Sequence, residues 1–329
     1  EFIMKILVTG GAGYIGNFMV NSLVATGADV IVLDNLERGH GELISKKAQL
    51  IKGDIRNEDV LESTFSKSRI DAVLHFAGLI SVEESTKNPD LYYENNVAGS
   101  KTLFEAAVKH GVDKFIFSSS AAVYGNPTKI PIPENHPKNP TSPYGKTKLE
   151  TEKNLSLLRD NNPSISFACL RYFNASGGAL DGSMGEDHNP ETHIIPLAIK
   201  AAIAGREFKL FGTDYDTPDG TCLRDYVHVL DLVEAHVLAM RQIIKNKGAY
   251  YYNVGTGNGI SNMEVIKMVG KVSGLPLSVV ESERRAGDAD QLIADPSKIK
   301  KELGFIPKYS DLEIIVKTAW LWHSRNIKY

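Results

Sequence analysis

Lys5-Ile6-Leu7-Val8-Thr9-Gly10-Gly11-Ala12-Gly13-Tyr14-Ile15-Gly16 opens the first regular region of the chain and decides its fold. Lys5 to Thr9 is a short apolar strand, and the glycines follow it at once. Glycine at 10 permits a tight turn, at 13 a close backbone approach to a pyrophosphate, and at 16 close helix–strand packing. Apolar periodicity from Tyr14 to Val24 predicts a helix whose N-terminus can receive phosphates. Asp29 to Leu33 predicts a second strand. It ends in Asp34-Asn35, about 20 residues beyond the glycines, where a ribose-binding acid is expected. A glycine pattern alone is a weak signal. Strand, glycines, helix, strand and terminal Asp in this order specify a dinucleotide-binding unit.

The alternation runs on. Gln49 to Lys52 reads as a strand ending in Gly53-Asp54-Ile55, and Asp59 to Phe65 as a helix. Asp71 to His75 is a continuous apolar strand ending in Phe76-Ala77-Gly78. Asp90 to His110 reads as one long helix, and Lys114 to Phe117 as a buried strand running into Ser118-Ser119-Ser120. Such alternation predicts an α/β fold, a Rossmann-type doubly wound parallel sheet with both faces covered. Each of these loops follows the carboxyl end of a strand, where such sheets bind their ligands. Asp54 also suits a turn cap, and Asn95 and Asn96 also suit a solvent-facing helix surface.

Further along, Ser142-Pro143-Tyr144-Gly145-Lys146-Thr147-Lys148 predicts a helix start, with Ser142 as N-cap and Pro143 in the first position. Tyr144 and Lys148 then share one face, about 6 Å apart at Cβ. A phenol with an ordinary pKa of about 10 is a poor base at neutral pH. An ammonium beside it favours the phenolate and brings it toward the range of a general acid–base. Such a pair in isolation is most often a plain surface helix; the dinucleotide unit upstream reverses that balance. This helix runs to about Asp160, and Ser166 to Leu170 reads as another strand. Residues 126–143 are proline-rich and aperiodic, an ordered surface loop. Beyond Asn174 the chain turns polar and glycine-rich through Pro196. Short helices and strands follow, among them Ile194–Ile203, Leu230–Ile244, Asn262–Val272 and Asp311–Arg325. A boundary near 174 separates a dinucleotide-binding domain (4–174) from a smaller C-terminal α/β substrate lobe (175–329). Residues 1–3 precede Met4 and read as an expression scar.

With 329 residues, 42% hydrophobic and 23% charged, the composition is that of a globular enzyme-sized chain. The net charge of −3, with no basic block, argues against nucleic acid or an anionic membrane as partner. No apolar run is long enough to span a bilayer, and no signal-peptide pattern appears. Cys169 and Cys222 form no metal spacing; a disulfide is possible in principle but unneeded at this size. His228 and His236 carry no metal-ligand logic and read as structural, so no metal is expected. A reduced, cytoplasmic protein follows.

Taken together, these residues resemble the extended short-chain dehydrogenases/reductases, most closely their UDP-glucose (UDP-galactose) 4-epimerases, over essentially the whole chain from Met4. The glycine loop, Leu33-Asp34-Asn35-Leu36, Ser118-Ser119-Ser120, and Tyr144 with Lys148 are shared broadly by nucleotide-sugar members. Tyr172-Phe173-Asn174, Gly185-Glu186-Asp187-His188, Arg224-Asp225-Tyr226-Val227-His228-Val229 and Arg284-Arg285-Ala286-Gly287-Asp288 narrow it to the epimerases.

The resemblance implies tightly held NAD, with Tyr144 taking the proton of the sugar 4-hydroxyl. Lys148 lowers the phenol pKa and binds the nicotinamide ribose; Ser120 bridges sugar and phenol. The cofactor contacts implied are Gly10, Gly13, Tyr14, Ile15, Gly16, Asp34, Asn35, Asp54, Ile55, Phe76, Ala77, Gly78, Asn95, Ser118, Tyr144, Lys148 and Tyr172. Asp34 accepts hydrogen bonds from a ribose diol and repels a 2′-phosphate, so NAD is expected over NADP. For the UDP-hexose, the resemblance implies Ser120, Tyr144, Asn174, Phe211, Tyr226, Asp288 and the guanidinium pair Arg224 and Arg285, whose planar forks suit phosphate oxygens. Leu292, seven residues after Arg285, stands where the family lines the sugar pocket. A Tyr there goes with hexose-only enzymes and a smaller residue with enzymes that also take the N-acetylated sugar.

The family also implies a homodimer through the 90–110 and 144–160 helices. Two departures stand out: Ile80 replaces a lysine near the cofactor phosphates, and Ala122 replaces a Thr found in some members. The rivals are a nucleotide-sugar 4,6-dehydratase or decarboxylase, and a non-catalytic NAD-binding sensor. Ser120-Ala121-Ala122 lacks the carboxyl group elimination needs, and a sensor has no reason to keep Ser120, Tyr144 and Lys148 together.

Overall fold

In the computed structural model, which describes residues 3–284 and 288–326, strands and helices alternate from the start. β1 (Lys5–Thr9), α1 (Tyr14–Ala25), β2 (Asp29–Asp34), β3 (Gln49–Lys52), α2 (Glu58–Ser66) and β4 (Ala72–His75) come first. α3 (Val82–Lys87), α4 (Pro89–Tyr92), α5 (Gly99–Lys109), β5 (Lys114–Ser120), α6 (Pro143–Asn161) and β6 (Ser166–Tyr172) follow. Then come β7 (Asn174–Ser176), α7 (Ile194–Ala204), β8 (Phe208–Phe211), β9 (Leu223–Arg224), β10 (Tyr226–His228), α8 (Val229–Lys245) and β11 (Ala249–Val254). The chain closes with β12 (Ile260–Ser261), α9 (Asn262–Ser273), β13 (Val279–Ser282), β14 (Gln291–Leu292), α10 (Ser297–Leu303) and α11 (Leu312–Arg325).

A seven-stranded sheet runs in the order β3-β2-β1-β4-β5-β6-β11. β1 pairs in parallel with β2 and β4, β2 with β3, and β4 with β5. Strand order reverses between β1 and β4, and the carboxyl ends flanking such a reversal are where doubly wound sheets bind ligands. Leu7, Val73, Phe115, Phe117 and Phe167 join Leu155 of α6 in one buried apolar cluster, and the alternate residues Ile6, Val8, Leu74 and Ile116 are buried as well, so these strands are apolar on both faces.

The chain divides into two compact units that are discontinuous in sequence, unlike the single change of lobe expected near 174. The first takes residues up to Gly125, Pro137–Arg171 and Ala235–Tyr252; the second takes Asn126–His136, Tyr172–Glu234 and the chain from Asn253. Ala235–Tyr252 returns to the first unit because β11 adds to the sheet, where Phe167 N–H reaches the Gly248 carbonyl at 2.9 Å. Asn126–His136 joins the second because Ile132 bridges Ala294, and Asn253 Nδ2 donates to the Ile132 carbonyl at 2.7 Å.

The second unit packs α7, α9 and α11 around Ile195, Ile199, Val265, Val269, Ile315 and Val316. Ser261 and Glu264 form a reciprocal capping box at the start of α9, fixing where that helix begins. Asp225, fully buried, staples its surroundings by accepting the backbone N–H groups of Thr256, Gly257 and Ala294. His228 is structural: Leu230 N–H donates to its Nδ1, leaving Nε2–H for the Thr318 hydroxyl at 3.0 Å. His236 lies against Phe76, ring centroids 4.9 Å apart. Cys169 and Cys222 are buried free thiols with no disulfide between them.

Two expectations change. β5 continues through Ser118-Ser119-Ser120, which therefore belong to the strand and share its rigidity. The long helix expected over 90–110 is interrupted by a π-helical turn, Tyr93–Ala98. That wider turn carries Asn96 inward, to 4% exposure, so it does not face solvent. Its amide bonds both backbone groups of Leu79: Nδ2 donates to the carbonyl at 2.9 Å, and Oδ1 accepts the N–H at 2.8 Å.

Candidate active site

The glycine loop is closed by its own backbone. A Cβ on Gly10, where φ is +69°, would lie 2.4 Å from Ala77 N, and one on Gly16 would lie 2.1 Å from the Gly10 carbonyl oxygen. Only glycine fits either place. Tyr14 and Ile15 open α1, whose N-terminus has no side-chain cap and no acidic residue in its first turn. By contrast, Asn57, Ser81, Ser142, Ser261 and Asp311 cap the helices that follow them.

Asp34 is buried at the end of β2, where Oδ2 accepts Ala12 N–H and Oδ1 accepts Leu36 N–H, both at 2.9 Å. These bonds fix the carboxylate and use one lone pair of each oxygen, leaving the others for a ligand. Next to it, Asn35 Nδ2 reaches Asp54 at 3.4 Å, and Asp54 is tied to Arg56 at 2.6 Å, which holds its carboxyl below the usual range. Ile55 is buried in the sheet's apolar cluster. Phe76, Ala77 and Gly78 leave β4 on the other side of the reversal, and a Cβ on Gly78 would meet Asn96 Oδ1 at 3.3 Å. Ile80 is 41% exposed. Asn95 lies on the π turn and donates to Asn96 Oδ1 at 2.9 Å. Tyr172 is the last residue of β6 and is buried.

Tyr144 and Lys148 occupy the first turns of α6. Ser142 Oγ accepts Gly145 N–H at 3.0 Å and Pro143 holds the first position, so the sequence sets this start locally. Lys148 is buried; its Nζ donates to the Ser118 carbonyl at 2.8 Å and stands 5.8 Å from the centre of the Tyr144 ring. Ser120, on β5, brings its side chain close enough to the Tyr144 phenol to act on it as a hydrogen-bonding neighbour.

Burial dominates the protonation of this pair. Burial raises the Tyr144 pKa above the ordinary phenol value, against the smaller lowering effect of the Ser120 side chain. Burial likewise pushes Lys148 down to about 8, with the Glu152 carboxylate working the other way. Desolvation disfavours the charged form of each group, so the lysine does not by itself deliver a phenolate.

Several supporting residues carry no sequence signal of their own. Tyr144 N–H donates to Ser85 Oγ at 3.1 Å. Asn96 Nδ2 reaches Thr147 Oγ1 at 3.2 Å, joining the π turn to α6. Beneath Ser118 and Ser120, Ser119 Oγ donates to Glu152 Oε1 at 2.6 Å. Glu152 in turn receives Arg171 in a two-pronged pair, Nε at 2.9 Å and Nη2 at 2.7 Å, and Arg171 Nη1 donates to the Tyr124 hydroxyl at 2.8 Å. The i,i+4 spacing from Lys148 to Glu152 was the one available hint.

In the second unit, Asn174 on β7 lies opposite Tyr226 on β10. The Tyr226 ring belongs to the apolar core, and its hydroxyl has no hydrogen-bond partner among the described residues. Arg224 on β9 is opposite Leu292 on β14. Its Nη1 donates to the Ala289 carbonyl at 2.8 Å, and Nη2 stands 3.6 Å from Asp288. Asp288 and Phe211 both line a cavity of about 370 Å³, together with Ile194, Leu197 and Lys200. Arg285 lies outside the described residues.

Comparison with known proteins decides among the readings of this geometry. The model of the NAD dependent epimerase/dehydratase family matches residues 6–255. The chain belongs to that family. The UDP-glucose 4-epimerase of Lactobacillus helveticus is 45% identical, over 99% of this chain and 98% of its own length. Among solved structures, the UDP-glucose 4-epimerase from Brucella ovis in complex with NAD aligns with a TM-score of 0.92 at 42% identity, covering 96% of this chain and 97% of that one. The UDP-Glc/GlcNAc 4-epimerase of Campylobacter jejuni aligns with a TM-score of 0.86 at 40% identity, covering 98% and 99%.

The residues present fit the cofactor of an NAD dependent epimerase/dehydratase. The glycine loop leaves backbone room, the α1 N-terminus carries no side-chain cap or acidic residue that would compete with a pyrophosphate, and Asp34 supplies the ribose acceptor.

Proposed function

We propose that this chain catalyses the reversible C4 epimerisation of UDP-galactose and UDP-glucose through a 4-keto sugar, with NAD retained throughout. The observation that carries this reading is the convergence of Tyr144, Lys148 and Ser120 on the first turns of α6 and the end of β5. NAD, when bound, would supply a positively charged hydride acceptor that can also give the hydride back. Tyr144 removes the proton of the sugar 4-hydroxyl and later restores it. Lys148 sets the electrostatics around the phenol, and Ser120 orients phenol and sugar by hydrogen bonding. The keto carbon is flat, so a sugar that turns over before reduction receives the hydride on its other face.

Ser120-Ala121-Ala122 places no carboxyl group beside the phenol, which argues against 4,6-elimination. Arg224, Arg285, Asn174, Phe211, Tyr226 and Asp288 are the residues assigned to the uridine diphosphate. The support is the cavity lined by Phe211 and Asp288, with Arg224 paired to Asp288. We assign the chain to a reducing, cytoplasmic setting as a homodimer. Supporting features are the two free cysteines and the exposed Leu91, Tyr93 and Leu157 on the helices expected to form the interface. No helix among the described residues is long and apolar enough to cross a membrane.

The test is incubation of the purified chain with UDP-galactose and no added NAD. UDP-glucose should accumulate to an equilibrium mixture, and a 4,6-dehydrated or decarboxylated product, or none, would overturn the reading.

A further inference from the structure

The second unit gathers two carboxylates and two imidazoles within eight residues, in the pattern Glu186-x-His188-x-x-Glu191-x-His193. One donor atom from each residue lies within 4.8 Å of the other three. We propose that Glu186, His188, Glu191 and His193 bind one divalent cation of the zinc class.

The separations fit such an ion. Four ligands about 2.1 Å from a tetrahedral zinc stand about 3.4 Å from one another. His188 Nδ1 is 3.1 Å from Glu186 Oε1 and 3.8 Å from Glu191 Oε1, and His193 Nδ1 is 3.9 Å from the same Glu191 oxygen. His193 Nδ1 also contacts Glu186 Oε1. Ordinary ion pairs need only pairwise contact. Here each imidazole nitrogen faces both carboxylates, which is convergence on one point.

A second observation comes from Glu191. Its side chain is 5% exposed, and Oε2 accepts no hydrogen bond among the described residues. The nearest cation, Lys200 Nζ, is 3.8 Å away, beyond hydrogen-bond distance. Oε1 is meanwhile fixed by the N–H groups of Thr192 and His193, at 2.8 and 3.0 Å, so the carboxylate is oriented and its Oε2 accepts no hydrogen bond among the described residues. A buried carboxylate oxygen in that condition is costly unless an ion or a water meets it. The cluster is also held from outside. Trp322 Nε1 donates to the Glu186 carbonyl at 3.1 Å, and a Cβ on Gly185 would strike the Trp322 ring at 2.3 Å.

Imidazole nitrogens with carboxylate oxygens suit zinc better than magnesium or calcium, which prefer all-oxygen shells. Four protein ligands fill a tetrahedron and leave no position for substrate, so the ion is structural. It would pin the stretch leading into α7, where Thr192, Ile194 and Lys200 line the cavity. This inference stands whether or not the assigned reaction is correct.

The test uses the full, untagged chain after dialysis against a strong chelator. Titration with Zn²⁺ at micromolar concentration, read by elemental analysis of the desalted protein, should give one equivalent per chain and a higher thermal midpoint. Co²⁺ in place of Zn²⁺ should give the intense visible bands of tetrahedral coordination. His188→Gln and Glu191→Gln should each weaken binding by about 100-fold or more. Wild-type protein that retains no zinc, or shows only the weak spectrum of hydrated cobalt, overturns the site, and that result stands even if the variants fail to fold. Folded variants that bind as well as wild type overturn it too, since the zinc then lies elsewhere. A cluster held by protons alone gives the first of these failures.

Discussion

At Tyr144 and Lys148 burial outweighs the attraction between the two groups. The phenol is raised and the ammonium lowered to about 8, so near neutral pH neither group is driven far from its resting protonation by the protein alone. Tyr144→Phe should therefore keep the fold but cut turnover by about 10²-fold or more, the scale of general acid–base catalysis. Lys148→Ala should lower activity and move the acidic limb of the pH–rate profile upward, because a positive charge near the phenol is lost. Near-normal turnover in the Tyr144 variant would sink the assigned role. Leu292 raises a separate residue-scale question, that of sugar size. It sits opposite Arg224 in the β9–β14 ladder and is smaller than Tyr, with no hydroxyl to satisfy. The native protein should accept UDP-N-acetylglucosamine as well as UDP-glucose, and Leu292→Tyr should shift the kcat/KM ratio toward the plain hexose. An unchanged ratio would mean that a neighbouring residue sets the pocket width.

Among the elements, what the sequence made legible was whatever is determined locally. β1, the glycine loop, α1 and the Ser142-Pro143 start of α6 lie where their own residues put them. The Tyr93–Ala98 π turn had no such signal, since one wide turn leaves the apolar spacing of a helix nearly unchanged. What the turn serves is tertiary: it carries Asn96 to the backbone of Leu79, in the loop after β4. The same holds for β11, a short strand whose place beside β6 is set by pairing over some 80 residues of chain and not by its own composition. The sequence likewise identified Arg224 and Leu292 separately but could not put them opposite each other. Asn96→Ala leaves both backbone groups of Leu79 without their partners, at a cost of about 2 kcal/mol. Chemical denaturation should show that loss, together with a weaker hold on α6 through Thr147. A stability equal to wild type would mean that water replaces the amide freely.

Across the whole molecule, stability should depend on a histidine that takes no part in the chemistry. His75 is buried at the end of β4. Ser100 donates its proton to the Asn96 carbonyl, so it accepts from His75 Nε2–H at 2.7 Å, and Nδ1 accepts from the Thr9 hydroxyl at 2.7 Å. Burial, with Lys148 adding to it, lowers the His75 pKa from 6.5 to about 3. Between these values the unfolded chain binds the proton and the folded one does not. The contribution is therefore complete above pH 6.5 and is lost as the pH falls toward 3, the loss at pH 5 being about 2 kcal/mol. Urea unfolding at pH 7 and pH 5 should show this slope in the wild type and a flatter one in His75→Gln; equal slopes would place the acid sensitivity in other groups. Assembly is the other property of the whole chain that can be tested. Leu91, Tyr93 and Leu157 are 40%, 57% and 58% exposed on α4, the π turn and α6, large apolar side chains that water disfavours. A second copy packed on the helices expected at the interface, around a two-fold axis, would cover them, and a stable dimer needs about 800 Å² from each partner. A charge buried at such a face without a partner costs several kcal/mol. Tyr93→Glu combined with Leu157→Glu should therefore shift the protein from dimer to monomer in light scattering after size exclusion, while circular dichroism stays unchanged. A wild-type chain that is already monomeric at micromolar concentration, or a double variant that remains dimeric, would move the interface elsewhere or remove it.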